Sequence, residues 1–187
     1  MFVSICETNN VTALNFDGEN DGIITKFTAD VTCLDTLVTG DLVLAGSADM
    51  TIKVTNTSSY SEKLLKGHQG PILSVSLDPK KKYCASSSCD GNVKVWDISE
   101  KKEVYSVDCI PKSNDVTTSK TVCGLKFSRS GAMLAIPKKG EVSVLARETW
   151  QEKSVLAADN LAEGEMVTCL DFTHNDAWII AGTSKVT

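Results

Sequence analysis

The stretch from Gly67 to Ile98, GHQGPILSVSLDPKKKYCASSSCDGNVKVWDI, constrains this chain more than any other. Short runs rich in Val, Ile, Ser and Tyr are separated there by turn residues, the pattern of consecutive antiparallel strands. Ile72–Leu77, Tyr83–Ser88 and Asn92–Ile98 read as strands a, b and c, and Glu103–Val107 reads as strand d. Asp78-Pro79 and the lysines after it make the a–b turn. Asp90-Gly91, a pair suited to a tight hairpin, makes the b–c turn. The unit opens on Gly67-His68 and reaches Trp96-Asp97 with about 27 residues between the His and the Trp. Four short strands cannot bury both of their faces alone, so the unit requires neighbours on either side.

Weaker copies supply those neighbours. Upstream, Val31–Leu37, Leu42–Ser47, Thr51–Asn56 and Glu62–Lys66 repeat the order, with Asp49 at the Asp90 position and Thr55 at the Trp96 position. Downstream, Thr121–Phe127, Met133–Pro137, Glu141–Ala146 and Gln151–Ala157 repeat it again, with Lys139 for the Asp and Leu145 for the Trp. Pro137 lacks a backbone donor, which predicts irregular pairing in that strand. Met166–Phe172 and Trp178–Thr183 supply only strands a and b, while Val3–Glu7, Val11–Phe16 and Gly22–Thr28 supply b, c and d.

A repeat of about 40 to 50 residues that opens on Gly-His and closes on Trp-Asp resembles the WD40 repeat. The resemblance implies an all-β fold, a WD40 β-propeller with one blade per repeat. The expected division is a partial blade at 1–29, blades at 30–66, 67–107 and 120–157, and a partial blade at 165–187. Three full and two partial blades fall short of a seven-bladed ring, so the chain reads as a fragment of a longer protein or a truncated gene model. Unpaired edges of an open ring predict aggregation.

Composition narrows the chemistry. Hydrophobic residues make up 42% and charged residues 23% of 187 residues, a globular balance, and the apolar runs have strand length. No basic n-region or long apolar segment follows Met1, so no signal peptide is expected. The net charge of −5 argues against a strongly basic nucleic-acid surface. Seven cysteines, none spaced as C-x-x-C, read as small apolar core residues in a reducing compartment. Two histidines without clustered thiols, and glycines that fall singly at turns, provide neither a zinc site nor a phosphate loop. No cofactor is expected.

His68, Ser86 or Ser88, Asp90 and Trp96 fit a buried structural tetrad, in which indole, hydroxyl, imidazole and carboxylate form one hydrogen-bonded chain. The same residue types could form a Ser-His-Asp hydrolase triad, but nothing supplies a nucleophile elbow or an oxyanion loop. Lys80, Lys81, Lys82, Lys101 and Lys102 should converge on one face, as a phosphate or acidic-peptide contact. Interspersed Asp78, Asp97, Glu100 and Glu103 suggest instead a mixed, solvated rim. Lys138-Lys139 should point to the opposite face, and the polar segment from Asp108 to Lys120 reads as an extended d–a loop, either a tolerated surface insertion or a loop of the kind that meets partners.

Particular residues carry a closer resemblance. They are Asp21-Gly22-Ile23-Ile24-Thr25-Lys26-Phe27-Thr28, Gly46-Ser47-Ala48-Asp49 with Ile52-Lys53-Val54, Ser88 to Trp96, Leu134-Ala135-Ile136-Pro137 and Arg147-Glu148-Thr149-Trp150. In this order they resemble the amino-terminal propeller of the WD repeat and HMG-box DNA-binding family, also called acidic nucleoplasmic DNA-binding proteins. The resemblance implies a nuclear, chromatin-associated scaffold that couples the replicative helicase to DNA polymerase α and serves replication, repair and cohesion. It also implies oligomerisation through regions outside this chain, and no membrane association. The competing expectation is a WD40 interaction module of another pathway, either a ubiquitin-ligase substrate receptor or a trafficking adaptor.

Overall fold

In a computed structural model, residues 2–3, 8–15, 17–109, 124–138, 141–157 and 165–185 are described. Every regular element among them is a strand, and every pairing is antiparallel. The strands form five successive meanders. The first sheet holds β1 (Phe2–Val3), β2 (Asn10–Leu14) and β3 (Asn20–Lys26). The second holds β4 (Val31–Thr36), β5 (Leu42–Ser47), β6 (Ile52–Asn56) and β7 (Glu62–Leu65). The third holds β8 (Ile72–Leu77), β9 (Tyr83–Ser88), β10 (Asn92–Asp97) and β11 (Lys102–Asp108). The fourth holds β12 (Lys126–Phe127), β13 (Met133–Lys138), β14 (Glu141–Ala146) and β15 (Glu152–Ala157). The fifth pairs β16 (Glu165–Phe172) with β17 (Ile179–Lys185).

The middle strands of the second, third and fourth sheets are apolar on both faces because each of these sheets is packed between two others. Side chains alternate along a strand, so neighbouring residues enter different cores. In β5, Val43 and Ala45 join the core against the first sheet, while Leu44 joins the core against the third. In β10, Trp96 faces the second sheet, and Val93 and Val95 face the fourth. In β13, Leu134 and Ile136 face the third sheet and Ala135 faces the fifth. Four cores thus alternate with five sheets.

The turns repeat as faithfully as the strands. Gly40, Lys81, Gly131 and Asp176 hold the same positive-φ position after strand a, at φ of 67°, 61°, 68° and 56°. Tyr60, Lys101 and Trp150 do so after strand c, at φ of 55°, 56° and 55°. Three of the four strand-a pairings also carry a register shift, between Val31 and Cys33, Ile72 and Ser74, and Val167 and Cys169. Such bulges sharpen the local twist.

Some expectations need adjustment. Lys102 belongs to β11, opposite Asp97, and Lys138 ends β13, opposite Glu141. Of the strand expected over Thr121–Phe127, residues 124–127 are described and only Lys126–Phe127 are paired, with Ala135 and Leu134. Pro137 lies beyond that short ladder and pairs with Val142 on the other side, where β14 demands no donor that proline lacks. Cys84 is a core residue, but Cys89 and Cys169 are exposed. The extended loop at 110–120, Lys139, Cys6 and Cys123 lie outside the described residues.

Candidate interaction site

The tetrad assembles around one hydroxyl. The Trp96 indole N–H donates to Ser86 Oγ at 2.9 Å, and Ser86 Oγ lies 2.8 Å from His68 Nε2. His68 Nδ1 lies 2.8 Å from Asp90 Oδ2, which also accepts the Gln69 N–H at 2.8 Å. Ser88 serves elsewhere: its hydroxyl donates to the Gly70 carbonyl at 2.8 Å and accepts the Asp90 N–H at 3.2 Å. Both serines lie on one face of β9, so position along the strand decides. Ser86 lies beside Trp96 in the register, and Ser88, at the end of the strand, reaches the loop.

Burial lowers the His68 pKa, against the opposing pull of Asp90. The ring is therefore neutral at pH 7: Nδ1–H donates to Asp90, Nε2 accepts from the Ser86 hydroxyl, and Ser86 in turn accepts from Trp96. Burial alone would raise the Asp90 carboxyl, but the Gln69 and Asn92 amides and the His68 ring outweigh it and lower the pKa. Gly67 explains the Gly-His pair. Its φ is +149°, and a Cβ there would stand 3.1 Å from Trp96 Cη2. Ser86 is fully buried beneath these groups, so no substrate carbonyl can reach its hydroxyl.

The second sheet contains a shortened version of this network. Asp49 Oδ2 accepts the Thr28 N–H at 3.0 Å and the Thr28 hydroxyl at 2.9 Å, as Asp90 accepts the Gln69 N–H one repeat later, while the buried Phe27 stands at the His68 position. Ala45 occupies the Ser86 position, and the chain stops there. Thr55, at the Trp96 position, is fully buried with its hydroxyl unpartnered.

A different set of residues locks the opposite end of the sheets. Arg147, in the turn after β14, donates from Nε and Nη2 to Asp78 Oδ2 at 3.0 and 2.7 Å. Asp78 Oδ1 accepts the Lys80 N–H at 2.9 Å. Asp78 is fully buried, so it is no part of a solvated rim. The Arg147 guanidinium also covers the Tyr83 ring at 4.9 Å, and Trp150 packs edge-on against the same ring at 5.1 Å. Asp176 caps the next turn, accepting the Arg129 and Ser130 amides at 2.7 and 2.9 Å. Only proximity to motif residues marked these side chains in the sequence; their pairings join different sheets.

The predicted lysines meet only in part. Lys80, Lys81 and Lys82 lie in the turn after β8 and Lys101 in the turn after β10, at the same end of the sheet, where the Ile98 N–H donates to the Lys82 carbonyl at 3.0 Å. Lys81 is held by Asp41 at 2.5 Å, and the Lys82 ammonium lies 5.0 Å from the Tyr83 ring centroid. Glu103 is engaged by Lys94 at 2.5 Å. Lys80, Lys101 and Lys102 are exposed. Among the described residues no cluster of His, Cys, Asp and Glu could hold a metal, and no helix is long and apolar enough to cross a membrane.

The same architecture occurs in known proteins. A chain of the crystal structure of the mitotic checkpoint complex superposes with a TM-score of 0.71 at 17% identity, over 91% of this chain and 50% of that one. Sequence relatives include WD repeat and HMG-box DNA-binding protein 1 of Mus musculus and of Homo sapiens, each 35% identical over 86% of this chain. The Xenopus laevis protein of that name is 37% identical over 89%. The matched region is about 15% of the mouse protein's length, 14% of the human and 15% of the frog. The family model described as the WDHD1 first WD40 domain matches residues 1–187. With the propeller sheets, the tetrad and this match along the whole chain, the protein belongs to the WDHD1 first WD40 domain family, a WD40 protein-interaction scaffold.

Proposed function

We propose that this chain is the protein-docking propeller of a nuclear replication-fork adaptor, one that couples the replicative helicase to DNA polymerase α during replication, repair and cohesion. The family match over residues 1–187 carries the reading, and relatives along the chain are named as DNA-binding proteins. The geometry fits a scaffold without enzymatic activity. The tetrad of His68, Ser86, Asp90 and Trp96 is a tie that holds loop and strands, with Ser88 bracing the same loop. Exposed Lys80, Lys82, Lys101 and Lys102 offer cations to acidic partner surfaces, while direct DNA contact falls to regions of the whole protein outside this chain.

The test is affinity purification of the intact, tagged protein from nuclei, beside a version lacking residues 1–187. Replisome subunits that copurify with the intact protein and fall away from the truncated one support the reading. Recovery of ubiquitin-ligase or coat subunits in their place overturns it.

A further inference from the structure

A cleft of about 190 Å³ opens where the a–b turns of the second, third and fourth sheets meet. Leu37, Pro79 and Phe127 contribute apolar wall, and Val38 stands at its lip fully exposed, at 101%. Lys81 and Arg129 line it as well, with side chains 42% and 46% exposed, each paired to an aspartate outside the lining. Asp35 is the carboxylate within the lining. It is only 14% exposed and is neutralised by Lys126 at 2.9 Å and by the Leu77 N–H at 2.7 Å. The half-exposed cations at the edge of the apolar socket are therefore Lys81 and Arg129, each shared with a surface aspartate that an acidic ligand would have to displace.

Backbone donors here are already used. Leu77 donates to Asp35, and the Phe127 N–H donates to Ser76 Oγ at 3.0 Å. An added strand would find no free amides at these positions, so recognition must run through side chains. The volume is below that of a drug-sized ligand site and suits one large side chain. A net charge of −5 repels extended polyanions at long range, but leaves a short segment with a few acids free to approach.

We propose that this cleft receives an extended segment of a partner protein, with one aliphatic side chain in the socket and flanking acidic residues on Lys81 and Arg129. This rests on the reading of the chain as a protein-docking propeller and names the chemistry of a docked segment.

The test is fluorescence anisotropy on the intact protein with a labelled eight-residue peptide carrying a central leucine between glutamates. Two controls replace leucine by serine, or the glutamates by lysines. The expected result is binding of the first peptide and at least about tenfold weaker binding of both controls, the loss that an unfilled aliphatic socket implies. Val38→Asp should weaken binding by about tenfold or more, and Arg129→Gln by up to about fivefold, the range of an exposed ion pair. Val38 supports nothing in the fold, so its variant should melt as the parent does. Equal binding of the serine peptide, or indifference to both substitutions, overturns the proposal. Displacement of the peptide by a single-stranded oligonucleotide overturns it in favour of a nucleic-acid site. If the peptide fails while replisome subunits still copurify, only the cleft assignment falls.

Discussion

Truncating Arg147 should destabilise the 187-residue chain more than any exposed substitution, although Arg147 lies in a turn. In Arg147→Ala, Asp78 loses both guanidinium donors, at 3.0 and 2.7 Å, and keeps only the Lys80 amide at 2.9 Å. The carboxylate is fully buried and cannot recover water. Breaking a buried pair in this way costs about 3–5 kcal/mol, and the lost stacking on Tyr83 adds about 0.5–1 kcal/mol. For a chain of this size each kcal/mol moves the melting temperature by about 2–4 °C. The expected drop is therefore roughly 7–24 °C, read by circular dichroism. Arg147→Lys keeps the charge but loses the paired donors and the planar stack, so it should fall between parent and alanine variant. The double variant Asp78→Leu, Arg147→Met removes both charges together and should recover most of the loss. A shift below about 2 °C for Arg147→Ala would refute the view that this latch joins the third and fourth sheets.

Two further outcomes follow from buried polar groups. Thr55→Val removes a fully buried hydroxyl that has no partner and keeps the side-chain shape, so it should stabilise by about 1 kcal/mol in urea denaturation; an unchanged or lower midpoint would mean that the hydroxyl is satisfied in solution. His68 has a lowered pKa when folded and an ordinary one, near 6.5, when unfolded, so acidification below about 6.5 protonates the unfolded chain first and stability should fall until the folded value is passed. Asp90 contributes in a lower window, losing its stabilisation as pH falls below the ordinary carboxylate range and through its lowered folded pKa. In His68→Gln the loss between neutral pH and pH 5 should disappear, and a parent chain whose stability is flat across that range would contradict a neutral, buried imidazole.

The repeat, the strand order and the tetrad were legible in the sequence because their determinants are local. A hairpin is specified by its two strands and the turn between them, and short apolar, β-branched runs bounded by turn residues mark the strands whatever lies above the sheet. His68, Asp90 and Trp96 fell at recognisable spacing for the same reason. The choice of Ser86 over Ser88 needed the register, since only one of the two hydroxyls lies beneath the indole.

What lies between sheets was not legible. Arg147 and Asp78 are 69 residues apart, and Lys126 and Asp35 are 91 apart. Such pairs leave no periodic trace, because their contact depends on how one sheet is rotated and stacked upon the next. Asp78 looked like a rim acid among lysines until the turn carrying Arg147 closed over it. Thr28 could be placed opposite Asp49 only after the second sheet was seen to repeat the loop geometry of the third. The sequence alone determined that this chain forms a row of small antiparallel sheets with one complete tetrad. The tertiary structure decided which polar groups bind those sheets together and which cations gather at the cleft, because burial and pairing across a sheet interface are properties of the packed assembly.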